Sequence, residues 1–320
     1  MKYFKSDTTK RYCALPVINH DLYDAYLSFR KDAFWTEEEI PYGEDLEHWD
    51  KKLSANERHF IKYVLAFFAS SDIIVNDNLA KNLLDKINIL EAEGFYTLQL
   101  ANEHVHSLTY AMLIETLIKD PIEKNTLFNA LEEIPAVKKK AEWALKWIDN
   151  GDSVDNLIAF SIVEGLLFAG SFCAIYYMNS QQKMPALSMA NKFIARDEAS
   201  HRDFAILLYN NYVLPEAKKS NETIKNIINE ALEVEKDFVT NALPVSLIGM
   251  NADLMVQYLK YVANDLYLRL TKDTENLYSD TNPFPFMESL GMTGKVNFFE
   301  RRSSSYAAAV TGTLEETDDF

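Results

Sequence analysis

From Ser54 onward the apolar residues Phe60, Val64, Phe67, Phe68 and Ile74 recur with roughly 3.6-residue spacing. That spacing lines one stripe of an α-helix rather than one face of a strand. Ser54 and Glu57 stand at capping-box separation just ahead of the run, so a long helix is predicted to open there. The same reading gives a helix over 21–31, interrupted afterwards by Pro41 and Gly43, behind a partly irregular N-terminal arm. Further helices are predicted over 90–118, 122–131, 134–149, 153–179, 185–213, 219–240 and 250–271. Residues 157–178 differ from the rest: they are apolar on nearly every face and carry one charge, Glu164.

A helix greasy all round is either a core helix or a membrane span, and this one is long enough to span. A single such stretch in an acidic chain reads as a core helix. An unpaired buried carboxylate costs several kcal/mol or takes up a proton. Glu164 therefore requires a partner, and the residues leave three open: Arg196, a hydrogen-bond network, or a metal.

Composition supports helices over sheets. Of 320 residues, 48% are hydrophobic, and Gly and Pro number only nine each, too few for a chain built on tight turns. The formal charge of −16 argues against nucleic acid as a partner, since phosphate binding needs a basic stripe. Cys13 and Cys173 are the two cysteines and form no CxxC pair, which speaks against a disulfide framework or zinc knuckle and for a reducing, cytoplasmic setting. The first residues, Met-Lys-Tyr-Phe-Lys-Ser, lack the apolar core of a signal peptide, and no membrane association is expected. From about Arg301 the chain turns to Ser, Ala, Thr and acidic residues with little to pack. Residues 1–300 are read as a single helical domain and 301–320 as a flexible tail.

Two segments carry candidate chemistry. Glu103-His104-Val105-His106 and Glu198-Ala199-Ser200-His201 both contain Glu-x-x-His inside helical stretches. Residues three apart on a helix point the same way, so each pair offers a carboxylate and an imidazole to one point. One such pair arises often by chance; two, beside a core helix with a lone Glu, resemble the di-iron carboxylate bundles. Nitrogen and oxygen donors suit iron or manganese that binds oxygen. Tyr110 follows Glu103 by seven residues, near two full turns, and so shares that face. Phe168, Phe172 and Ile194 are placed to build an apolar wall on the same side. His104 falls off the ligand face, and His20, His48 and His59 sit in no ligand pattern.

Over nearly its whole length, from about residue 20, the chain resembles the class I ribonucleotide reductase small subunit. The residues that carry the likeness are Phe34-Trp35-Thr36 with Glu38, Glu39 and Asp45; Glu103, His106 and Tyr110; Val163-Glu164-Gly165 with Phe168; Arg196-Asp197-Glu198 and His201; Asn282-Pro283-Phe284; Asn297-Phe298-Phe299-Glu300; and the acidic end with Phe320. The resemblance implies an all-α, ferritin-like helical bundle with additional helices. It implies Asp45, Glu103 and His106 for one metal and Glu164, Glu198 and His201 for the other. Two iron ions are the expected cofactor, with manganese–iron and manganese–manganese pairs left open. By the same resemblance Tyr110 is oxidised to a radical when the centre reacts with O2. Trp35, Asp197 and His106 form a relay, Tyr306 is the next carrier, and the tail docks on a large catalytic subunit, the small subunit itself being a homodimer. The competing readings are a stand-alone di-metal oxidase on the same bundle, which has no use for an exit route, and a metal-storage bundle, which has no use for Tyr110 or Trp35.

Overall fold

The structure, a computed structural model, describes residues 3–5, 11–84 and 86–288. Most of these lie in α1 (His20–Ala33), α2 (Ala55–Asn78), α3 (Leu90–Leu117), α4 (Pro135–Asn150), α5 (Ser153–Ile162), α6 (Ala169–Ser180), α7 (Pro185–Tyr212), α8 (Asn221–Asp237) and α9 (Ala252–Thr271). Local chemistry fixes where several begin. Ser54 Oγ accepts from Glu57 N at 3.2 Å while Glu57 Oε2 accepts from Ser54 N at 2.8 Å, the reciprocal cap its spacing predicted for α2. Asp152 caps α5 through the amides of Val154 and Asp155, both at 2.9 Å. Pro185 starts α7, where its missing N–H costs nothing.

Helices α2 and α3 pack side by side, α7 lies against α5 and α6, and α1 crosses α3 and α7. The α2, α3, α5–α6 and α7 rods form the ferritin-like four-helix core, with α4, α8 and α9 packed outside it. A single apolar core runs from Phe4 to Met287. The N-terminal arm is pinned to the start of α3: Arg11 forks onto both Glu91 oxygens at 2.8 Å each, and Asn19 Nδ2 and the Ile18 amide bind the same carboxylate at 2.8 and 3.1 Å.

The stretch predicted as one helix over 153–179 is broken. Between α5 and α6 the backbone widens into a π turn, Val163–Leu167, before Phe168 restarts the helix. Two glycines permit the close packing there. A Cβ at Gly165 would sit 2.7 Å from Arg202 Cδ, and one at Gly170 would sit 2.4 Å from Glu235 Oε1. The stretch 153–180 is apolar and long enough to cross a bilayer, but its most apolar 18-residue window is wholly buried within the protein, and it serves as a core rod. The helix predicted over 122–131 is likewise two short ones, Pro121–Phe128 and Ala130–Glu133.

Candidate metal centre

Helix α3 presents Gln99, Glu103, His106 and Tyr110 down one face, each fully buried. From the opposite side α7 presents Glu198 and His201, and the π turn presents Glu164. A π turn re-aims a side chain that a regular helix would place elsewhere, and such turns recur at functional sites. Glu103, Glu164, Glu198 and His201 each offer a donor atom within 4.8 Å of the others. His201 Nδ1 lies 2.9 Å from Glu103 Oε1, 3.3 Å from Glu198 Oε2 and 3.6 Å from Glu164 Oε2. His106 Nδ1 faces the same centre, 3.0 Å from Glu198 Oε1 and 3.3 Å from Glu103 Oε2. Gln99 Nε2 donates to Glu103 Oε1 at 3.2 Å and to Glu164 Oε1 at 3.3 Å.

Asp45 does not join them. Its two oxygens accept from the Ala186 and Leu187 amides at 2.9 and 2.8 Å, so it caps the N-terminus of α7, where exposed amides and the helix dipole hold a carboxylate. Another buried acid, Asp72 of α2, stands beside this cluster instead. Asp72 is 1% exposed, and the charges it feels are those of Glu103, His106 and Glu198. Asp72 carries the same mark in the sequence as Glu164, a lone charge inside an apolar helical run, here Phe67 to Val75.

The electrostatics call for cations. Burial raises Asp72 well above the usual carboxylate range, and Glu103 pushes it further. Burial works against the charge of Glu103 too, but His201 and His106 beside it hold it far below that range. Burial would lower His201, yet Glu103 and Glu198 hold it up at about 9. His106 is likewise raised against its own burial, by Asp197, Glu103 and Glu198. Four buried carboxyl groups, Asp72, Glu103, Glu164 and Glu198, stand here against two imidazoles. Among the described residues, Asp72 Oδ2, Glu103 Oε2 and Glu164 Oε2 are buried without a hydrogen-bond partner. A pair of divalent cations matches four carboxylates in charge, and the oxygen and imidazole donors suit iron or manganese.

Tyr110 stands beside this cluster. Its ring stacks on Phe68 at 4.6 Å with planes 9° apart, and Phe168 and Phe172 close around Phe68 at 5.5 and 4.8 Å. Its hydroxyl is buried with no hydrogen-bond partner among the described residues. Burial, then the Asp72 charge, raises the phenol's pKa well above the ordinary value. On the far side of His106, Asp197 Oδ2 stands 3.3 Å from Nε2, and it accepts from Trp35 Nε1 at 2.7 Å and Asn102 Nδ2 at 3.1 Å. Arg196, left open as a partner for Glu164, instead donates to Asp197 Oδ1 at 3.1 Å. His104 is exposed, as expected for a residue off the face. Tyr306 and the 301–320 tail lie outside the described residues.

Comparison with known proteins agrees along the chain. The family model for the ribonucleotide reductase small chain matches residues 11–283. Ribonucleoside-diphosphate reductase subunit M2 of Danio rerio is 45% identical over 311 residues, 96% of this chain and 79% of that protein. The small chain of the same enzyme from Variola virus is 46% identical over 310 residues, 97% of this chain and 94% of that one. Among solved structures, the ribonucleotide reductase Rnr4 homodimer of Saccharomyces cerevisiae superposes with a TM-score of 0.79 at 32% identity, covering 94% of this chain and 91% of that one.

Proposed function

The chain belongs to the ribonucleotide reductase small-chain family, and on that premise we propose that its buried cluster holds two iron ions beside a tyrosine that this subunit oxidises to a radical. It works in the reduction of ribonucleoside diphosphates as the small chain of that enzyme, beside a large subunit and as a dimer. The observation that carries the metal reading is the convergence of Asp72, Glu103, Glu164, Glu198, His106 and His201 in a dry core with carboxylate oxygens unmet. In our reading Asp72, Glu103 and His106 serve one ion and Glu164, Glu198 and His201 the other. A bound pair of this kind supplies one-electron oxidising power drawn from O2.

The side chains do the rest. Tyr110 is protonated at rest, because burial disfavours its phenolate. Its oxidation therefore releases one electron and one proton, and Asp72, the charge that acts most strongly on the phenol, is the group we assign to receive the proton. Phe68, Phe168 and Phe172 exclude water that would quench the radical. Asp197 fixes the ring of His106 and joins it to Trp35, in the way carboxylates hold ligating histidines. We assign Trp35, Asp197 and His106 to the path by which the oxidising equivalent leaves, and Tyr306 to its continuation.

We assign residues 1–300 to one helical domain, supported by the unbroken core from Phe4 to Met287. Residues 301–320 are assigned to docking on the large subunit, supported by their acidic, apolar-poor composition with Phe320 as anchor. The cytoplasm is the proposed setting, supported by two cysteines that stay unpaired. A stand-alone oxidase draws no support from the comparisons, and the Trp35–Asp197–His106 contact would have no purpose in one. The direct test is Tyr110→Phe. Metals should still bind, while the organic radical signal and reductase activity with the large subunit vanish; normal activity in that variant rejects the assignment.

A further inference from the structure

Where α4 and α8 meet the end of the π turn lies an ion pair with no part in the chemistry above. Lys140 of α4 donates to the Leu167 carbonyl at 2.6 Å, and its Nζ stands 2.7 Å from Glu235 Oε2 of α8. Their side chains are 1% and 0% exposed. Nζ lies 3.6 Å above the Phe67 ring and 4.1 Å above that of Phe238. A buried pair of this kind is weak evidence for stability, because desolvating two ions offsets their attraction. What it touches is more informative.

Leu167 ends the π turn that carries Glu164, and α6 begins two residues later. The first amides of a restarted helix have no carbonyl of their own helix to bond. Glu235 packs against this start of α6: a Cβ at Gly170 would be 2.4 Å from its Oε1. Lys140 thus holds the backbone at 167 and its ion-pair partner Glu235 packs against it at 170, one on each side of the break. Around a regular helix each residue turns the face by about 100°. A slip of one residue across this break would swing Glu164 away from His201 and Gln99.

We propose that Lys140 and Glu235 are positioning residues whose task is to hold segment 163–170 in its broken form, so that Glu164 faces the centre. The inference deepens the di-metal reading and rests on it. It goes further in assigning a control over one of two sites to a pair that touches neither metal.

The experiment compares wild type with the double variant Lys140→Met/Glu235→Gln, which removes both charges and leaves neither ion orphaned. Each metal-free protein is titrated anaerobically with iron(II), and backbone amide exchange is followed by mass spectrometry. If wild type does not take up two ions, the di-metal reading fails and the clamp is not at issue. With wild type binding two, the folded double variant should keep one ion at near wild-type affinity and bind the second about 10–100-fold more weakly. Amides 163–172 of the metal-free variant should exchange faster while those of α9 do not. Equal weakening at both sites, or unchanged affinity with unchanged exchange at 163–172, overturns the proposal. If the double variant fails to fold, Glu235→Gln alone serves. It keeps the side chain's shape against Gly170 and removes the charge that pairs with Lys140, and the same selective, smaller loss is expected; no change in either readout overturns the idea.

Discussion

Trp35 and His106 meet on a single oxygen. Asp197 Oδ2 accepts from Trp35 Nε1 at 2.7 Å and stands 3.3 Å from His106 Nε2, while the two rings lie nearly parallel with centroids 5.8 Å apart. Trp35→Phe keeps an aromatic ring there and removes the N–H that binds Asp197. Metal content and radical yield should be unchanged by paramagnetic resonance, and nucleotide reduction with the large subunit should fall to background. Turnover near the wild-type rate would remove Trp35 from the path.

Asp72 and Asp45 are both fully buried acids in different surroundings, and they should behave differently. Asp72→Asn should weaken one metal site about 10–100-fold while leaving the other bound. Asp45→Asn should leave both metals in place and cost about 1 kcal/mol in stability through a weaker cap on α7. Metal titration and thermal melting of the two variants separate the roles. A loss of metal from the Asp45 variant with none from the Asp72 variant would reverse them.

The confusion between those two residues marks the limit of what the sequence discloses. Spacing within one helix is legible, so Glu103, His106 and Tyr110 on α3, and Glu198 and His201 on α7, could be grouped from periodicity. The lone charge in an apolar run exposed Glu164, and Asp72 carries the same mark. Ser70 and Ser71 beside it, however, made its run look less apolar. Which acid from a separate segment joins the centre is a question of tertiary packing, and periodicity along one segment says nothing of it. The π turn at 163–167 was hidden for a related reason: an apolar run reads as a regular helix, and its break depends on contacts from Lys140 and Glu235, about 25 and 70 residues away in the chain.

The arm that packs on α3 gives a prediction in pH. Burial opposes the charge of Glu91, but Arg11, Asn19 and the Ile18 amide hold its pKa down at about 2. A carboxyl depressed on folding stabilises the native state above its unfolded pKa, near 4.5, and that contribution fades as pH falls toward 2. Glu91→Gln should therefore lower stability by about 2 kcal/mol at pH 7. The gap between variant and wild type should narrow steadily below pH 4.5. Melting curves across the range check it; a gap that is constant from pH 7 to 3 would show that the charge of Glu91 is not what holds the arm.

The central claim is that six buried side chains gather two metal ions next to Tyr110. Crystals of the protein loaded with iron(II) under anaerobic conditions, measured at the iron absorption edge, test it most directly. Two anomalous peaks per chain are predicted, one among Asp72, Glu103 and His106 and one among Glu164, Glu198 and His201. An absence of peaks at full iron loading, or peaks confined to surface carboxylates, would contradict it.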